Sequence, residues 1–297
     1  MEYFCRFYNF VSIEQVIRFF EDGIELPANP LLLTFDDGYK EHYTYVYPEL
    51  RKKGVQGAFF VPAGPVEENV VLDVNKIHYV LASAPCPNRL LQHVLHRIDR
   101  MQVAYQLERT EQYLARTEKS TRFDDEAVGI VKALLQKELP WCARKKITDD
   151  LFREHVTEEE ASFARELYMN KTELNEMERN GMFIGGHGAD HYWLDSLNRS
   201  EQQREVERTV EFLTSLNRAR RSWVMCYPFG AYDESVLEIL RRYGFQIGLS
   251  TKVGLTALND ADPMALERLD ANDFPKGDGE TPNKWTRMAA GWLSGRE

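Results

Sequence analysis

Short apolar runs alternate with amphipathic stretches in both halves of this chain, and that rhythm allows few folds. Leu31-Leu32-Leu33-Thr34-Phe35 is a continuous apolar run, as expected of a buried parallel strand. A helical pattern over 41–53 and a second run, Ala58-Phe59-Phe60-Val61, follow it. Strand, helix and strand in this order make a right-handed β-α-β unit. Upstream, Ser12 is a candidate N-cap for a helix over 12–22 with Val16, Ile17 and Phe20 on one face. The alternation returns after residue 170. Thr172 is placed to cap a helix ending at Asn180, Met182-Phe183-Ile184 reads as a strand, and 200–215 as a polar helix. A strand over 223–226, a helix over 233–243 and a strand over 246–249 complete the series.

The stretch over 76–169 breaks this rhythm. It is rich in Leu, Gln, Glu, Arg and Lys, has few turn signals, and carries amphipathic patterns over 88–116 and 125–138. It reads as a helical insertion in an α/β domain made of 1–75 and 170–297. A chain of 297 residues is long enough to give that domain a sizeable core.

Charge and cysteine usage narrow the partners. A net charge of −10 argues against nucleic acid, whose phosphates need clustered Lys and Arg, and against docking on an anionic membrane. The four cysteines are widely spaced and form no C-x-x-C pair, so they read as reduced thiols. The first residues lack a charged-then-apolar signal pattern, and no apolar run reaches membrane-spanning length. These features together predict a cytoplasmic protein without a membrane span.

Two segments can carry chemistry. Thr34-Phe35-Asp36-Asp37-Gly38 puts two carboxylates where an apolar strand stops, and strand carboxyl ends build the active sites of β/α folds. Taken alone, Asp-Asp-Gly reads first as a strand-to-helix turn. Gly185-Gly186-His187-Gly188-Ala189-Asp190-His191 puts two histidines, three residues apart, on a glycine-rich loop after a strand. A lone histidine is more often structural, but two of the chain's seven within five residues favour ligation. Asp37, His187 and His191 would supply three ligands to one divalent ion, with Asp36 beside them as a base and Asp190 a bystander or a support. Zinc suits two imidazoles and a carboxylate; cobalt and nickel fit the same set.

Leu33–Gly38 resembles the first motif of the polysaccharide deacetylases, carbohydrate esterase family four, which carry the NodB homology domain. Gly186–His191 is similar to the second motif, with Gly188 in place of a hydroxyl residue. Cys226-Tyr227-Pro228-Phe229-Gly230 resembles the third, and Asp270-Ala271-Asn272-Asp273-Phe274 the fourth. The similarity covers 29–60 and 170–274 and leaves out the helical stretch. It implies a distorted (β/α) barrel of roughly seven strands. It also implies Asp36 as base, Asp37, His187 and His191 as metal ligands, and the Phe229 N–H as an oxyanion donor.

Two positions depart from the family. Cys226 stands where the family has an arginine that orients the base; Arg268 is the candidate substitute, or else forms a surface pair with Glu267. No histidine follows His191, so the family's terminal general acid is missing; His78 and His42 are the donors to test. His93, His96 and His155 read as ordinary side chains. Tyr39, Tyr192, Trp193 and Tyr232 flank the loops and could stack on a sugar.

The implied function is metal-dependent removal of an N-acetyl group from an amino sugar in a bacterial polysaccharide or lipopolysaccharide precursor. The precursor would be nucleotide- or lipid-linked. A deformylase or another non-peptide amide hydrolase on the same site is the alternative, followed by a catalytically impaired glycan-binding protein. Oligomeric state leaves no mark on the sequence.

Overall fold

The computed structural model describes residues 1–117, 125–216, 222–276 and 281–291. It divides into two compact units, one of Met1–Glu67 with Arg165–Glu297, the other Glu68–Ala164.

Among its described residues the first unit holds eight short strands. β1 (Asn9–Phe10) pairs in parallel with β2 (Pro30–Leu31). The others are β3 (Leu33–Phe35), β4 (Gly57–Val61), β5 (Phe183–Gly186), β6 (Trp223–Cys226), β7 (Phe245–Val253) and β8 (Leu266–Arg268). These six form one parallel sheet in the order β3-β4-β5-β6-β7-β8. Sequential parallel order with intervening helices is the distorted (β/α) barrel expected, with six strands in the main sheet rather than about seven. Among the described residues no ladder joins β3 to β8, so the sheet has a seam between its first and last strands.

Period-two alternation divides the strand residues between two cores. Phe59, Val61, Ile184 and Met225 face an outer core with Leu50, Leu174, Phe212 and Leu240 from four covering helices. Ala58, Phe60, Val224, Cys226, Ile247 and Leu249 face an inner core. Ile13, Val16 and Ile17 of helix Ile13–Asp22 pack into that inner core. Ser12 caps this helix as expected, in a reciprocal box with Gln15, and Gly23 ends it in a left-handed conformation.

Several expectations need correction. The run over 31–35 is not one buried strand: Leu31 pairs with β1, Leu33–Phe35 with β4, and all are half-buried. An edge strand beside an open seam cannot be covered on every side. The helix expected over 41–53 opens as a wide π turn, His42–Val46, before Tyr47–Lys53. Asn170, not Thr172, caps the next helix, because Asn170 and Glu173 have the three-residue spacing of a capping box.

The second unit is helical: Asp73–Ser83, Pro87–Met101, Thr110–Arg116, Glu126–Ala133, Leu134–Glu138 and Trp141–His155, with the start of Glu160–Leu167. The pattern over 88–116 is two helices, not one, parted by residues 102–109, where Gln106 takes a φ of 52°. Lys76 is buried inside this unit and is held by Asp149 at 2.5 Å and Glu160 at 2.7 Å. Among the described residues no helix is long and apolar enough to cross a membrane.

Candidate metal and catalytic site

The inner face of the sheet carries chemistry at its carboxyl end. Alternation sends Thr34, Ala58, Cys226 and Leu266 inward, and two steps on from Thr34 and Leu266 stand Asp36 and Arg268. His187 follows β5 directly and is buried. Asp36 and Arg268 meet in a two-pronged ion pair. One guanidinium nitrogen donates to Oδ1 at 2.9 Å and the other to Oδ2 at 2.8 Å. The same guanidinium donates to Thr34 Oγ1 at 3.3 Å, and its Nε to the Ser250 carbonyl at 2.9 Å. The charge therefore reaches Asp36 from β8, and Glu267 pairs with Lys252 instead. The Cys226 thiol donates to Asp36 Oδ2 at 3.4 Å. Burial alone would raise the Asp36 carboxyl, but His187 and Arg268 outweigh it and hold the group below the usual range.

Asp37 turns the other way because its φ is 70°, in the left-handed region. Its Oδ1 lies 3.3 Å from Nε2 of His187 and 3.3 Å from Nε2 of His191. The three donor atoms all lie within 4.8 Å of one another. Two donors about 2.1 Å from a tetrahedral ion stand about 3.4 Å apart, so these spacings suit zinc or a similar cation. His187 Nδ1 faces the Cys226 carbonyl at 2.7 Å. A carbonyl only accepts, so Nδ1 carries a hydrogen. Against the burial that lowers it, Cys226 and Asp37 raise this ring's pKa well above 6.5, so Nε2 is protonated as well and a cation would take that proton's place. His191 Nδ1 is buried with no hydrogen-bond partner, and burial holds this ring below its ordinary pKa, in the neutral form a ligand needs.

The backbone is strained where the donors sit. Asp37, His191 and Phe229 all have positive φ, at 70°, 57° and 56°. Each costs about 1–2 kcal/mol against the ordinary helical region, and such residues gather at functional sites. Gly38 and Gly230 follow two of them with φ of 70° and 71°. A Cβ on Gly230 would lie 2.1 Å from Thr251 Oγ1, so only glycine fits that turn.

Phe229 opens this turn with its ring stacked on Trp193, centroids 4.5 Å apart and planes within 6°. Tyr232 is likewise stacked on Tyr227, and Tyr39 on Tyr168. These three flanking aromatics have one face against a neighbouring ring. His42 packs beside Phe35 and Phe59, with burial lowering its pKa against the pull of Asp37 and Asp36. His78 is exposed on helix Asp73–Ser83 of the second unit.

Sequence reasoning missed Glu205. Its Oε2 accepts the backbone N–H of Ala189 at 2.9 Å and of Asp190 at 3.0 Å, inside the loop between the two histidines. Asp190 pairs in turn with Arg208 at 2.5 Å. The signal was present: Glu205 lies on the stripe of Val206, Thr209, Phe212 and Leu213 that helix Arg199–Leu216 buries. Burial pushes the Glu205 carboxyl up to about 7 from 4.5, against the two N–H donors and Arg208. A raised folded pKa means that Glu205 contributes most below pH 4.5 and that stability falls as pH rises through about 7. The variant Glu205→Gln cannot ionise. It should gain on the wild type by up to roughly 3 kcal/mol between pH 4.5 and 8, measured by urea unfolding. A difference that stays constant with pH refutes this.

Among the described residues, two further groupings bring possible ligands together. Asp36, His187 and Cys226 share His187 with the first set. In the second unit His93, Glu154 and His155 converge, so these histidines are less ordinary than expected. There the Arg97 guanidinium already pairs with Glu154 and lies 3.5 Å from His93 Nε2.

A family model for polysaccharide deacetylase matches residues 23–123 and 145–248, more than half of the chain. The Bacillus subtilis (strain 168) protein YxkH, provisionally named a polysaccharide deacetylase, is 27% identical over 108 residues. That match spans 36% of this chain and 38% of the relative. Among solved structures, the Streptococcus pyogenes deacetylase PplD superposes with a TM-score of 0.52 at 17% identity, over 90% of this chain and 76% of that one. IcaB from Ammonifex degensii gives 0.52 at 18% identity, over 97% and 84%. The deacetylase domain of BpsB from Bordetella bronchiseptica gives 0.53 at 15%, over 90% and 81%. At these identities the structures show a shared fold.

Proposed function

The chain belongs to the polysaccharide deacetylase family, and on that footing we propose that it is a metal-dependent hydrolase that removes an N-acetyl group from an amino sugar. Its substrate would be a bacterial polysaccharide or lipopolysaccharide precursor. The observation that carries the reading is the adjacency of two machines at one sheet edge. Asp37, His187 and His191 offer three converging donors, and Asp36 beside them is held ionised by Arg268.

Asp37, His187 and His191 would hold the cation, most simply zinc, with cobalt or nickel as equivalents. Such an ion polarises an amide carbonyl and acidifies bound water. Asp36 accepts the proton of the attacking water, and its low pKa keeps it ready at neutral pH. Arg268 orients Asp36 in the role that the Cys226 position leaves open. The Phe229 backbone N–H, presented by a left-handed turn, is the proposed second donor to the oxyanion. His42 is held neutral by burial and is poorly suited to protonate the leaving nitrogen. A donor role for His78 has no support in the unit that carries the other residues. The proton that Asp36 has just accepted is therefore the one proposed to reach the amine.

Metal removal tests the reading. Treatment with a strong chelator should abolish acetate release from N-acetylglucosamine substrates, and zinc, cobalt or nickel should restore it. Unchanged turnover in demonstrably metal-free protein overturns it. Formate release from N-formyl analogues, without acetate release from N-acetyl ones, would move the assignment to a deformylase.

A further inference from the structure

Among the described residues, no strand or side chain closes the seam between β3 and β8. A cavity of about 460 Å³ lies there, walled by residues of both strands and by the segments around them. Its lining is mainly aliphatic and aromatic: Val16, Leu32, Leu255, Leu258, Leu269 and Phe274 stand around it. Protein interiors are normally close-packed, and an apolar cavity of roughly 150 Å³ is already enough to take a benzene-sized guest. A space this large and this apolar is shaped for a ligand.

Lining chemistry selects the ligand. Two charged side chains, Glu267 and Arg268, border the cavity, and both are already neutralised, by Lys252 and by Asp36. A nucleotide would bring phosphates to walls where, among the described residues, the basic side chain present, Arg268, is committed to Asp36. An aliphatic chain asks only for apolar surface. Position selects the orientation. Thr34 and Arg268 line the cavity, and both lie within one hydrogen-bonded group with Asp36.

We propose that this seam binds a single long aliphatic chain, and that the amino sugar deacetylated at Asp36 is carried on a lipid. The second half of this statement rests on the deacetylase reading; the first does not.

A fluorescent eighteen-carbon fatty acid, cis-parinaric acid, titrated into the full chain below its micelle concentration tests the cavity directly. Saturable binding with one site is expected. Leu32→Trp and Leu258→Trp, which fill the seam from different walls, should each weaken it at least tenfold. Displacement in the wild type needs no variant: a dodecyl glycoside of N-acetylglucosamine should displace the probe, and its methyl glycoside or a uridine nucleotide sugar should not. Absence of saturable binding, or equal displacement by all three, overturns the cavity assignment. With binding established, kcat/KM for the dodecyl glycoside should exceed that for the methyl glycoside at least tenfold, and the ratio should fall toward one in the filled variants. Equal values for the two glycosides would refute a lipid carrier. Probe binding without deacetylation of either glycoside would reject the deacetylase reading and leave the cavity assignment standing.

Discussion

Asp36→Asn should lower acetate release by about 10²–10⁴-fold, the range that a positioned general base contributes, while bound metal stays near the wild-type amount. The amide has the shape of the carboxylate but cannot take a proton from water. It also leaves the half-buried Arg268 guanidinium without its two-pronged partner, so some loss of stability accompanies the loss of rate. Metal content separates two roles for this residue. Asp36 also converges with His187 and Cys226. If that group held the ion, Asp36→Asn would strip the metal and the kinetic loss would follow from that. Full turnover in the variant would remove Asp36 from the mechanism altogether.

The second large effect is on the ion itself. Asp37→Ala and His191→Ala should each weaken zinc binding by more than about 100-fold, since even the loss of a supporting contact behind a ligand costs 10–100-fold. Competition against a chromophoric chelator measures this. A thermal shift gives a second reading: ligand at a hundred times its Kd stabilises by about 2.7 kcal/mol, so zinc should raise the wild-type midpoint and leave the variants unmoved. A variant that binds zinc as the wild type does would show that Asp37, His187 and His191 do not grip one cation together.

The residues that define this site were legible because each is chemically conspicuous. Adjacent aspartates at a strand end and paired histidines among glycines stand out from their surroundings. Geometry then brings the two segments together, with Asp37 3.3 Å from both rings. Arg268 was harder to read. Its neighbour Glu267 offers a closer partner in sequence, and only the register of β8 turns Arg268 inward toward Asp36 and Glu267 toward Lys252. β8 itself was invisible, since Leu266-Glu267-Arg268 is too short and too polar to show a strand period. It exists because β7 offers it a ladder.

Other features were hidden for related reasons. The break over 102–109 has no glycine or proline to announce it; the chain turns at Gln106, a residue seldom found at positive φ. Glu205 looked like one more acid on a polar helix until its neighbours proved to be buried. The seam leaves no sequence trace, because it is defined by two strands that fail to pair.

The long interval between the two halves of the site bears on how the chain matures. Asp37 and Arg268 are separated in sequence by the whole of the 68–164 unit and by three later strands. A ribosome adding about 5–20 residues per second spends roughly 10–45 s between them. For the first 150 residues of that interval the nascent Asp36–Asp37 pair lacks its imidazoles, and it lacks its guanidinium until residue 268. A truncated product ending before residue 187 thus carries only the two aspartates of the site, without the histidines that would complete the proposed three-donor set.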